Sequence, residues 1–185
     1  MVERMNSEKG CIIVVDMVND FVRGKFGGKD KEELAVRMRS FLSSMAGKYP
    51  IIFTLDTHIM NDPEFKVWGE HCLENSWGSE LCDELSGIRG HYLRKRHYDA
   101  FHDTDLDGYL RAMQFDHLIV MGVSTDICVL HTVSGAFHRY YRTTVIEDMC
   151  AAIDQERHRE AISFMHRNYG TEISMSKTMK EEVES

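Results

Sequence analysis

Short apolar runs alternate along this chain with longer stretches of helical periodicity. The first run, residues 11–15, is β-branched and has no polar alternation, as expected of a strand that is buried on both faces. Strands separated by helices need crossover connections, which produce a mostly parallel sheet with helices packed against it. The sequence therefore predicts an α/β fold, a three-layer Rossmann-like domain whose sheet of about six strands is covered by helices on both faces. The predicted strands are 11–15, 51–55, 92–94, 117–123, 143–147 and 172–174.

Helix boundaries follow from capping residues and from apolar positions that repeat on one face. Residues 31–46 place apolar side chains on one face before Gly47 ends the helix. Thr104 and Asp107 resemble a capping box, with an acid other than Glu, at the start of a helix near Leu106. The remaining helices are predicted from Ser76 to residue 85, over 127–141, and from a cap at Asp154 to the neighbourhood of Gly170.

Length, charge and cysteine content narrow the class of protein. A chain of 185 residues predicts a single domain, 1–185. It has 22 Lys and Arg against 30 Asp and Glu, a net charge of −8, which argues against nucleic acids and anionic membranes as partners. No apolar run reaches the roughly 18 residues of a membrane span, and MVERMNSEKG lacks the apolar centre of a signal peptide. The five cysteines are odd in number and show no CxxC spacing, so we expect reduced thiols and a cytoplasmic protein.

Reactive side chains follow four of the predicted strands. Open parallel sheets bind ligands beyond the carboxyl ends of their strands. Asp16 follows the first strand, Asp56 and His58 the second, Lys95 the third, and the loop GVSTDIC, which ends in Cys128, the fourth. A reaction site at this edge explains the set better than packing does. The sequence contains no GxGxxG after the first strand and no P-loop, so the fold class implies no nucleotide.

Asp16, Lys95 and Cys128 form a candidate catalytic set. Cys128 lies near a predicted helix N-terminus, where backbone N–H groups and the helix dipole favour a thiolate. Asp16 follows an apolar strand and needs a partner to offset its desolvation, which Lys95 can supply. Together they offer a thiol, a base for its proton and a cation. The alternatives are a buried structural cysteine, a turn aspartate and a solvated basic cluster, Arg94-Lys95-Arg96.

A second candidate set has the composition of a metal site. Asp56 and His58 are two residues apart at a strand end and point to one side, and Glu64 and His71 follow them. Two imidazoles with one or two carboxylates suit Zn²⁺, Mn²⁺ or Fe²⁺. The alternative is a hydrogen-bonded His–Asp pair, and spacing alone favours neither. The chain contains ten histidines, and the main competitors for this role are His97, His102 and His131.

Taken in order, these segments resemble the isochorismatase-like cysteine hydrolases, and within them the nicotinamidases, also called pyrazinamidases. The resemblance spans nearly the whole chain, and although each motif alone is weak, the ordered set is highly specific. It rests on the segments IIVVDMVNDF, TLDTH, PEFKVWGEHC, WGSEL, KRHYDAF and GVSTDICVLHT.

The resemblance implies amide hydrolysis, in which nicotinamide and water give nicotinate and ammonia. The family's triad falls on Asp16, Lys95 and Cys128, so that Cys128 attacks the carboxamide carbon while Asp16 accepts the thiol proton. It also implies a cis peptide bond between Val123 and Ser124. The backbone N–H groups of Ser124 and Cys128 are then implied as the oxyanion hole.

The resemblance further implies a metal ion and a substrate pocket. The family's ligands fall on Asp56, His58 and His71, and some members add a fourth ligand at the position of Glu64. One divalent ion is implied, zinc first, with manganese or iron as alternatives. The implied aromatic walls of the substrate pocket are Phe21 and Trp68.

The chain departs from the family pattern in the loop around the last metal histidine. The family commonly has Gly where Asn75 stands, and Gly69-Glu70 replaces its usual prolines. Neither departure removes a triad or ligand position. The implied partner is a small-molecule amide, and family members often form homo-oligomers.

Two other functions stay open at this point. Another amidohydrolase of the superfamily, such as an N-carbamoylsarcosine amidase or an isochorismatase, would share the triad, although these often lack the complete metal set. A non-catalytic metal-binding or scaffolding protein would share the fold, but binding needs no nucleophile.

Overall fold

The computed structural model describes residues 9–184 and contains a six-stranded sheet. Its strand pairs are all parallel, in the order β3-β2-β1-β4-β5-β6, which is the order of doubly wound α/β folds. The predicted class is therefore confirmed. The predicted domain 1–185 includes residues 1–8 and Ser185, which lie outside the described residues. Most of the N-terminal segment that was examined for a signal peptide lies outside them too. The strands are β1 Gly10–Val15, β2 Ile51–Asp56, β3 His91–Lys95, β4 His117–Val123, β5 Arg142–Ala151 and β6 Glu172–Ser174.

Helices connect the strands. Crossovers from β1 to β2 and from β4 to β5 run in opposite directions across the sheet, and right-handed connections then place their helices on opposite faces. The helices are α1 Asn19–Val22, α2 Lys29–Ser44, α3 Phe65–Trp68, α4 Leu106–Ala112, α5 Leu130–His138, α6 Gln155–Tyr169 and α7 Ser176–Glu184. Among residues 9–184, none of these is long and apolar enough to cross a membrane.

The core of the domain lies around the two central strands. Residues 11–15 of β1 are completely buried, and residues 118–123 of β4 are at most 1% exposed where they are apolar. Ile12 of β1 pairs with Ile51 on one side and with Ile119 on the other. Because β1 is flanked by strands on both edges and covered on both faces, its sequence is a continuous apolar run.

The predicted helix from Ser76 to residue 85 is wrong. The segment forms two 3₁₀ turns, Trp77–Ser79 and Asp83–Leu85, separated by extended backbone. Leu81 makes an antiparallel bridge to Val18, and the backbone N–H of Cys82 donates to Met17 O at 2.9 Å. These contacts to the chain after β1 satisfy the backbone groups that a helix would otherwise pair internally.

Two predicted caps have different outcomes. Asp154 Oδ1 accepts the backbone N–H of Arg157 at 2.9 Å, and Gly170, with φ +65°, ends α6 as predicted. Helix α4 begins at Leu106, whose backbone N–H donates to Thr104 Oγ1 at 3.2 Å. The other half of the capping box does not form, because the side chain of Asp107 contacts Arg111 and Tyr141 instead.

Two boundaries after β4 also differ from the predictions. The predicted helix 127–141 begins as a π-helical turn, Thr125–Val129, and continues as α5. The predicted strand 143–147 extends to Ala151, since β4 offers pairing as far as Val123. The short helices α1 and α3 and the C-terminal α7 were not predicted.

Candidate active site

The strand order brings the reactive side chains together. Strands β3, β2, β1 and β4 are neighbours, so the residues that follow them share the carboxyl edge of the sheet. Asp56 and Lys95 pair across β2 and β3, while Val15, directly before Asp16, pairs with Gly122 near the end of β4. Four separate segments of the chain therefore converge on one small region.

Lys95 lies at the centre of the candidate catalytic set. Its Nζ is 2.6 Å from Asp16 Oδ2 and 3.6 Å from Cys128 Sγ. It also donates to the backbone oxygen of His97 at 3.0 Å. The three side chains are at most 5% exposed. The structure thus brings Asp16, Lys95 and Cys128 together in a region shielded from bulk water.

Burial and charge set the protonation of this cluster. Burial raises the pKa of the Cys128 thiol well above its usual range, and the nearby ammonium of Lys95 only partly opposes this. Burial disfavours the ammonium too, but the negative charges of Asp16 and Asp56 outweigh it and raise the pKa of Lys95. Burial likewise raises the pKa of Asp16 against the opposing effect of Lys95. A neutral thiol therefore faces a carboxyl group whose basicity is increased.

Thr54 orients Asp16 and was missed by the sequence analysis. Its Oγ1 donates to Asp16 Oδ1 at 2.8 Å, and its backbone oxygen accepts the N–H of Asp16 at 3.1 Å. Thr54 is completely buried within the apolar run IIFTL. A single polar residue inside a buried strand needs a partner, and that signal could have identified it.

The end of β4 approaches β1 closely. Gly122 has φ +125°, a conformation that side chains rarely adopt, and a Cβ here would collide with the backbone of Val15. The Val123–Ser124 peptide bond is cis, as the resemblance implies. Because Gly122 lies against Val15, the turn that follows β4 begins close to Asp16, the first residue after β1.

The π-helical turn that carries Cys128 is tied to α6. Thr125 Oγ1 is hydrogen-bonded to His158 Nδ1 at 2.9 Å. Arg157 Nε lies 2.7 Å from Asp126 Oδ2. These two contacts anchor to α6 the turn that carries Cys128.

Asp56, His58 and His71 present three ligand atoms to one point. Asp56 Oδ2 is 3.1 Å from His58 Nε2 and 3.6 Å from His71 Nε2. Ligands bound at about 2.0–2.1 Å in a tetrahedral site are roughly 3.3 Å apart, so these separations suit one ion. Glu64 Oε1 lies 3.9 Å from both Nε2 atoms, at the edge of the set.

The outer nitrogens of both histidines face oxygen atoms. His58 Nδ1 is 3.1 Å from Asp62 Oδ2, and His71 Nδ1 is 2.8 Å from the backbone oxygen of Gly69. These acceptors favour a proton on Nδ1 and leave the Nε2 lone pairs directed towards Asp56. The donors, their spacing and their outer partners all fit a divalent transition-metal ion.

The alternative His–Asp pair is also visible in this arrangement. Burial alone would lower the pKa of His58, but the carboxylates of Asp56 and Asp62 outweigh burial, and the net pKa is raised to about 9. Burial alone would raise the pKa of Asp56, but Lys95 and His58 outweigh burial and hold the pKa below its usual range. In the protein without an ion, His58 and Asp56 therefore form an ion pair. The competing histidines lie elsewhere: His97 and His102 beside Asp103, and His131 with Nδ1 2.8 Å from Ile127 O.

A mostly apolar pocket connects the candidate catalytic and metal-binding residues. Both predicted aromatic walls, Phe21 and Trp68, line it, together with Cys128. Trp68 Nε1 donates to Tyr98 Oη at 2.9 Å, which fixes the two rings relative to each other. The sequence analysis missed further lining residues, which come from loops, the start of α2, the end of β4 and the π-helical turn: Phe26, Lys31, Tyr98, Val123, Ile127 and Ile153.

The loop departures leave the site intact. Asn75 has φ +62°, so it adopts the left-handed conformation that glycine would supply and that asparagine tolerates. Gly69 has φ +71°, and Lys25 Nζ donates to the backbone oxygens of Trp68 and Glu70 at 2.7 and 3.0 Å. A lysine thus holds the segment in which the family usually has prolines.

Comparison with known proteins places the chain among related sequences and structures. The sequence profile of the Isochorismatase domain matches residues 10–177. The nicotinamidase of Escherichia coli strain K12 is 28% identical over 191 residues, covering 84% of this chain and 89% of that relative.

Two solved structures extend the comparison. N-carbamoylsarcosine amidase from Thermoplasma acidophilum is 34% identical with a TM-score of 0.82, and the match covers 91% of this chain and 96% of that one. Pyrazinamidase/nicotinamidase from Streptococcus mutans UA159 is 30% identical with a TM-score of 0.82, over 89% of this chain and 99% of that one. The relatives therefore share the fold and are named for different substrates.

Proposed function

The chain belongs to the isochorismatase family of hydrolases, and from this premise we propose that it is a cytoplasmic, metal-dependent cysteine amidohydrolase acting on nicotinamide and pyrazinamide. The products are nicotinate or pyrazinoate, with ammonia. The observation that carries the proposal is the pocket, in which the buried Cys128 thiol and two members of the candidate metal cluster, Asp56 and His71, line one aromatic cavity. A flat pyridine ring with a carboxamide on one side and a nitrogen on the other suits those three features.

The chemistry begins at the thiol. As Cys128 Sγ attacks the carboxamide carbon, Asp16 accepts the thiol proton, and the Lys95 ammonium offsets the negative charge that develops beside it. The oxyanion accepts hydrogen bonds from the backbone N–H groups of Ser124 and Cys128, and one such donor contributes roughly 10²–10³-fold in rate. During these steps Thr54 holds Asp16 in position, because its Oγ1 donates a hydrogen bond to Asp16 Oδ1.

The reaction is completed by three proton transfers that involve Asp16. Asp16 returns its proton to the amide nitrogen, the C–N bond breaks, and ammonia leaves a thioester on Cys128. A water molecule gives a proton to Asp16 and attacks the thioester carbon. The C–S bond breaks, the acid is released and Asp16 returns the proton to the Cys128 sulfur.

The metal-binding residues serve recognition in this proposal. Asp56, His58 and His71, with Glu64 at the edge of the set, would hold one divalent ion, zinc first among the candidates. When bound, the ion supplies a Lewis-acid contact for the ring nitrogen. Phe21 and Trp68 would stack against the ring.

A second candidate is an amidase for a substrate that carries a carboxylate. Lys31, at the start of α2, lines the pocket and its side chain is only 12% exposed, so it offers an ammonium group to an acidic substrate. The relative at 34% identity is an N-carbamoylsarcosine amidase. Asp30 lies 3.7 Å from Lys31 Nζ and already offsets part of this charge, which favours the neutral amide.

One assay separates the two candidates. The purified protein is incubated with nicotinamide or with N-carbamoylsarcosine at equal concentration, with added Zn²⁺ or with a chelator, and ammonia release is measured. We expect rapid release from nicotinamide, loss of that activity with chelator, and no release by Cys128→Ala. Faster release from N-carbamoylsarcosine would favour the carboxylate-binding amidase, and the Lys31→Ala variant would then lose that activity.

A further inference from the structure

A second cluster of metal-ligating side chains lies in the loop between β3 and α4, outside the pocket. His97 Nε2 is 3.4 Å from Asp103 Oδ2, and His102 Nε2 is 3.7 Å from the same oxygen. The two imidazole rings are 4.4 Å apart between centroids and nearly perpendicular, at 86°. We propose that this loop cluster, His97, His102 and Asp103, binds a divalent transition-metal ion as a second, separate metal site.

The chemistry of the loop cluster suits such an ion. Two imidazoles and one carboxylate bind first-row transition metals. Ligands of a tetrahedral zinc ion are roughly 3.3 Å apart, and the contacts of Asp103 Oδ2 at 3.4 and 3.7 Å come close to that spacing. Asp103 has φ +52°, a conformation uncommon outside glycine, and its carboxylate faces both rings. With three protein ligands, the remaining coordination positions stay open to solvent.

An unsatisfied nitrogen gives a second reason. His97 Nε2 is shielded from solvent and makes no hydrogen bond with any part of the chain that the structure describes. A shielded polar atom that makes no hydrogen bond is costly, even though the Asp103 carboxylate lies 3.4 Å away. A bound cation at this point would satisfy it, together with His102 Nε2 and the carboxylate of Asp103.

The position of the loop cluster connects it to the pocket without making it part of the pocket. The backbone oxygen of His97 accepts a hydrogen bond from Lys95 Nζ at 3.0 Å, and Tyr98, the next residue, lines the cavity. An ion that joins the two histidines would therefore restrain the loop that holds these groups. The binding itself does not depend on which amide the protein hydrolyses.

The first test counts zinc ions. Metal-free protein is dialysed against buffered Zn²⁺, and the zinc bound per chain is measured by elemental analysis. We expect His102→Ala and Asp103→Ala each to bind one equivalent less than the unaltered chain, whereas His138→Ala, which removes an exposed histidine of α5, binds the same amount. The comparison is repeated in a His71→Ala background, so that the result stands whether or not the Asp56 cluster binds zinc.

The second test locates the ion. Hydrogen–deuterium exchange of residues 96–105 is measured with and without Zn²⁺. We expect Zn²⁺ to slow exchange of this loop in the unaltered chain and in His71→Ala, but not in His102→Ala. Equal zinc binding by His102→Ala and the unaltered chain, or no change in loop exchange, would overturn the proposal, whatever the amidase assay shows.

Discussion

Lys95 and Asp56 join the two halves of the site, because the Lys95 ammonium donates to Asp56 Oδ1 at 3.3 Å. The other oxygen of Asp56 faces His58 and His71. One carboxylate therefore serves both the candidate metal site and the cation of the candidate triad. A change in the charge of either half must affect the other, since all these groups are buried and weakly screened.

Replacing Lys95 should destabilise the fold as well as stop catalysis. In Lys95→Met, the carboxyl groups of Asp16 and Asp56 lose a buried cation, and breaking a buried ion pair from one side costs roughly 3–5 kcal/mol. We expect the free energy of unfolding to fall by about that amount in urea denaturation at neutral pH.

A compensating change tests the cause. Asp16→Asn added to Lys95→Met removes one of the uncompensated charges, so the double variant should be more stable than Lys95→Met alone. Equal or lower stability of the double variant would mean that packing of the lysine stem, rather than its charge, is what matters.

Cys128 is predicted to be the nucleophile. Cys128→Ala should lower kcat for nicotinamide by roughly four orders of magnitude or more, because the covalent route is lost. Little stability should be lost, since the change removes one sulfur atom at the edge of the pocket. Initial rates of ammonia release and thermal unfolding measure the two effects.

Other variants check that this loss reflects chemistry. Cys82→Ala removes an equally buried thiol outside the pocket and should keep kcat near that of the unaltered chain. Asp16→Asn combined with Cys128→Ala should be little worse than either single change, because members of one catalytic unit are not additive. Activity of Cys128→Ala above a few per cent would rule out the thioester route.

The sequence could predict much of this site because strand ends are predictable. Asp16 and Asp56 follow apolar runs, Lys95 follows the short predicted strand 92–94, and a parallel sheet collects such ends at one edge. Residues positioned by irregular loops, such as Phe26 and Tyr98, leave no periodic signal. Their places depend on tertiary contacts, for example the hydrogen bond between Trp68 and Tyr98.

Tertiary pairing also explains the largest error in the fold. The predicted helix from Ser76 to residue 85 depended on local patterning, but Leu81 and Cys82 pair with the chain just after β1. Such long-range pairing cannot be inferred from a window of ten residues. By contrast, α6 was predicted correctly because Asp154 and Gly170 mark both of its ends locally.

Asp62 is predicted to be a positioning residue for the metal site. Its Oδ2 lies 3.1 Å from His58 Nδ1, and its Oδ1 accepts the backbone N–H of Glu64 at 3.0 Å. Asp62→Asn keeps the size but has a single acceptor oxygen, so one of these contacts is lost. We expect zinc affinity to weaken about 10–100-fold, the usual effect of losing an outer partner of a ligand.

The measurement is a zinc titration by competition with a chromogenic chelator. His102→Ala serves as the parent chain, so that the loop cluster does not contribute. Asp83→Asn, an exposed carboxylate on a 3₁₀ turn, is the matched control and should bind zinc like the parent. Unchanged affinity in Asp62→Asn would exclude a role for this carboxylate in orienting His58.

His158 should make stability depend on pH. Burial, assisted by Arg159, lowers its pKa below the usual value near 6.5, against the opposing charges of Glu147 and Asp126. The unfolded chain therefore binds a proton at a higher pH than the folded chain does. The stabilising contribution of neutral His158 is complete above about pH 6.5, and it is lost as the pH falls through 6.5 towards the lower pKa of the folded chain.

The His158→Gln variant tests this sign. Urea unfolding of both proteins between pH 5 and 8 should show the unaltered chain losing stability relative to His158→Gln as the pH falls below about 6.5. Curves that stay parallel over this range would show that His158 does not contribute. Because His158 bonds to Thr125, the variant should also loosen the turn that carries Cys128.

Substrate recognition is predicted to depend on the ring nitrogen. If the cluster of Asp56, His58 and His71 positions the ring, the carboxamide lies at a fixed distance from the nitrogen and reaches Cys128 from the meta position. Nicotinamide and pyrazinamide both satisfy that arrangement. Benzamide has the same shape and stacking surface but leaves the polar cluster without a partner, and sites built for a polar group can reject such analogues by as much as roughly 10⁴-fold.

We therefore expect kcat/KM for benzamide to fall at least about 100-fold below that for nicotinamide. This value is near the low end of what a missing polar partner costs, because a retained water molecule can replace the ring nitrogen as that partner. Ammonia release from the three amides is compared at equal concentration. In His71→Ala, which loses one ligand, the preference for nicotinamide over benzamide should largely disappear, because the cluster no longer distinguishes the two rings. Similar rates for nicotinamide and benzamide in the unaltered chain would mean that Phe21, Trp68 and the shape of the pocket govern binding, and the substrate would then be an amide defined by shape alone.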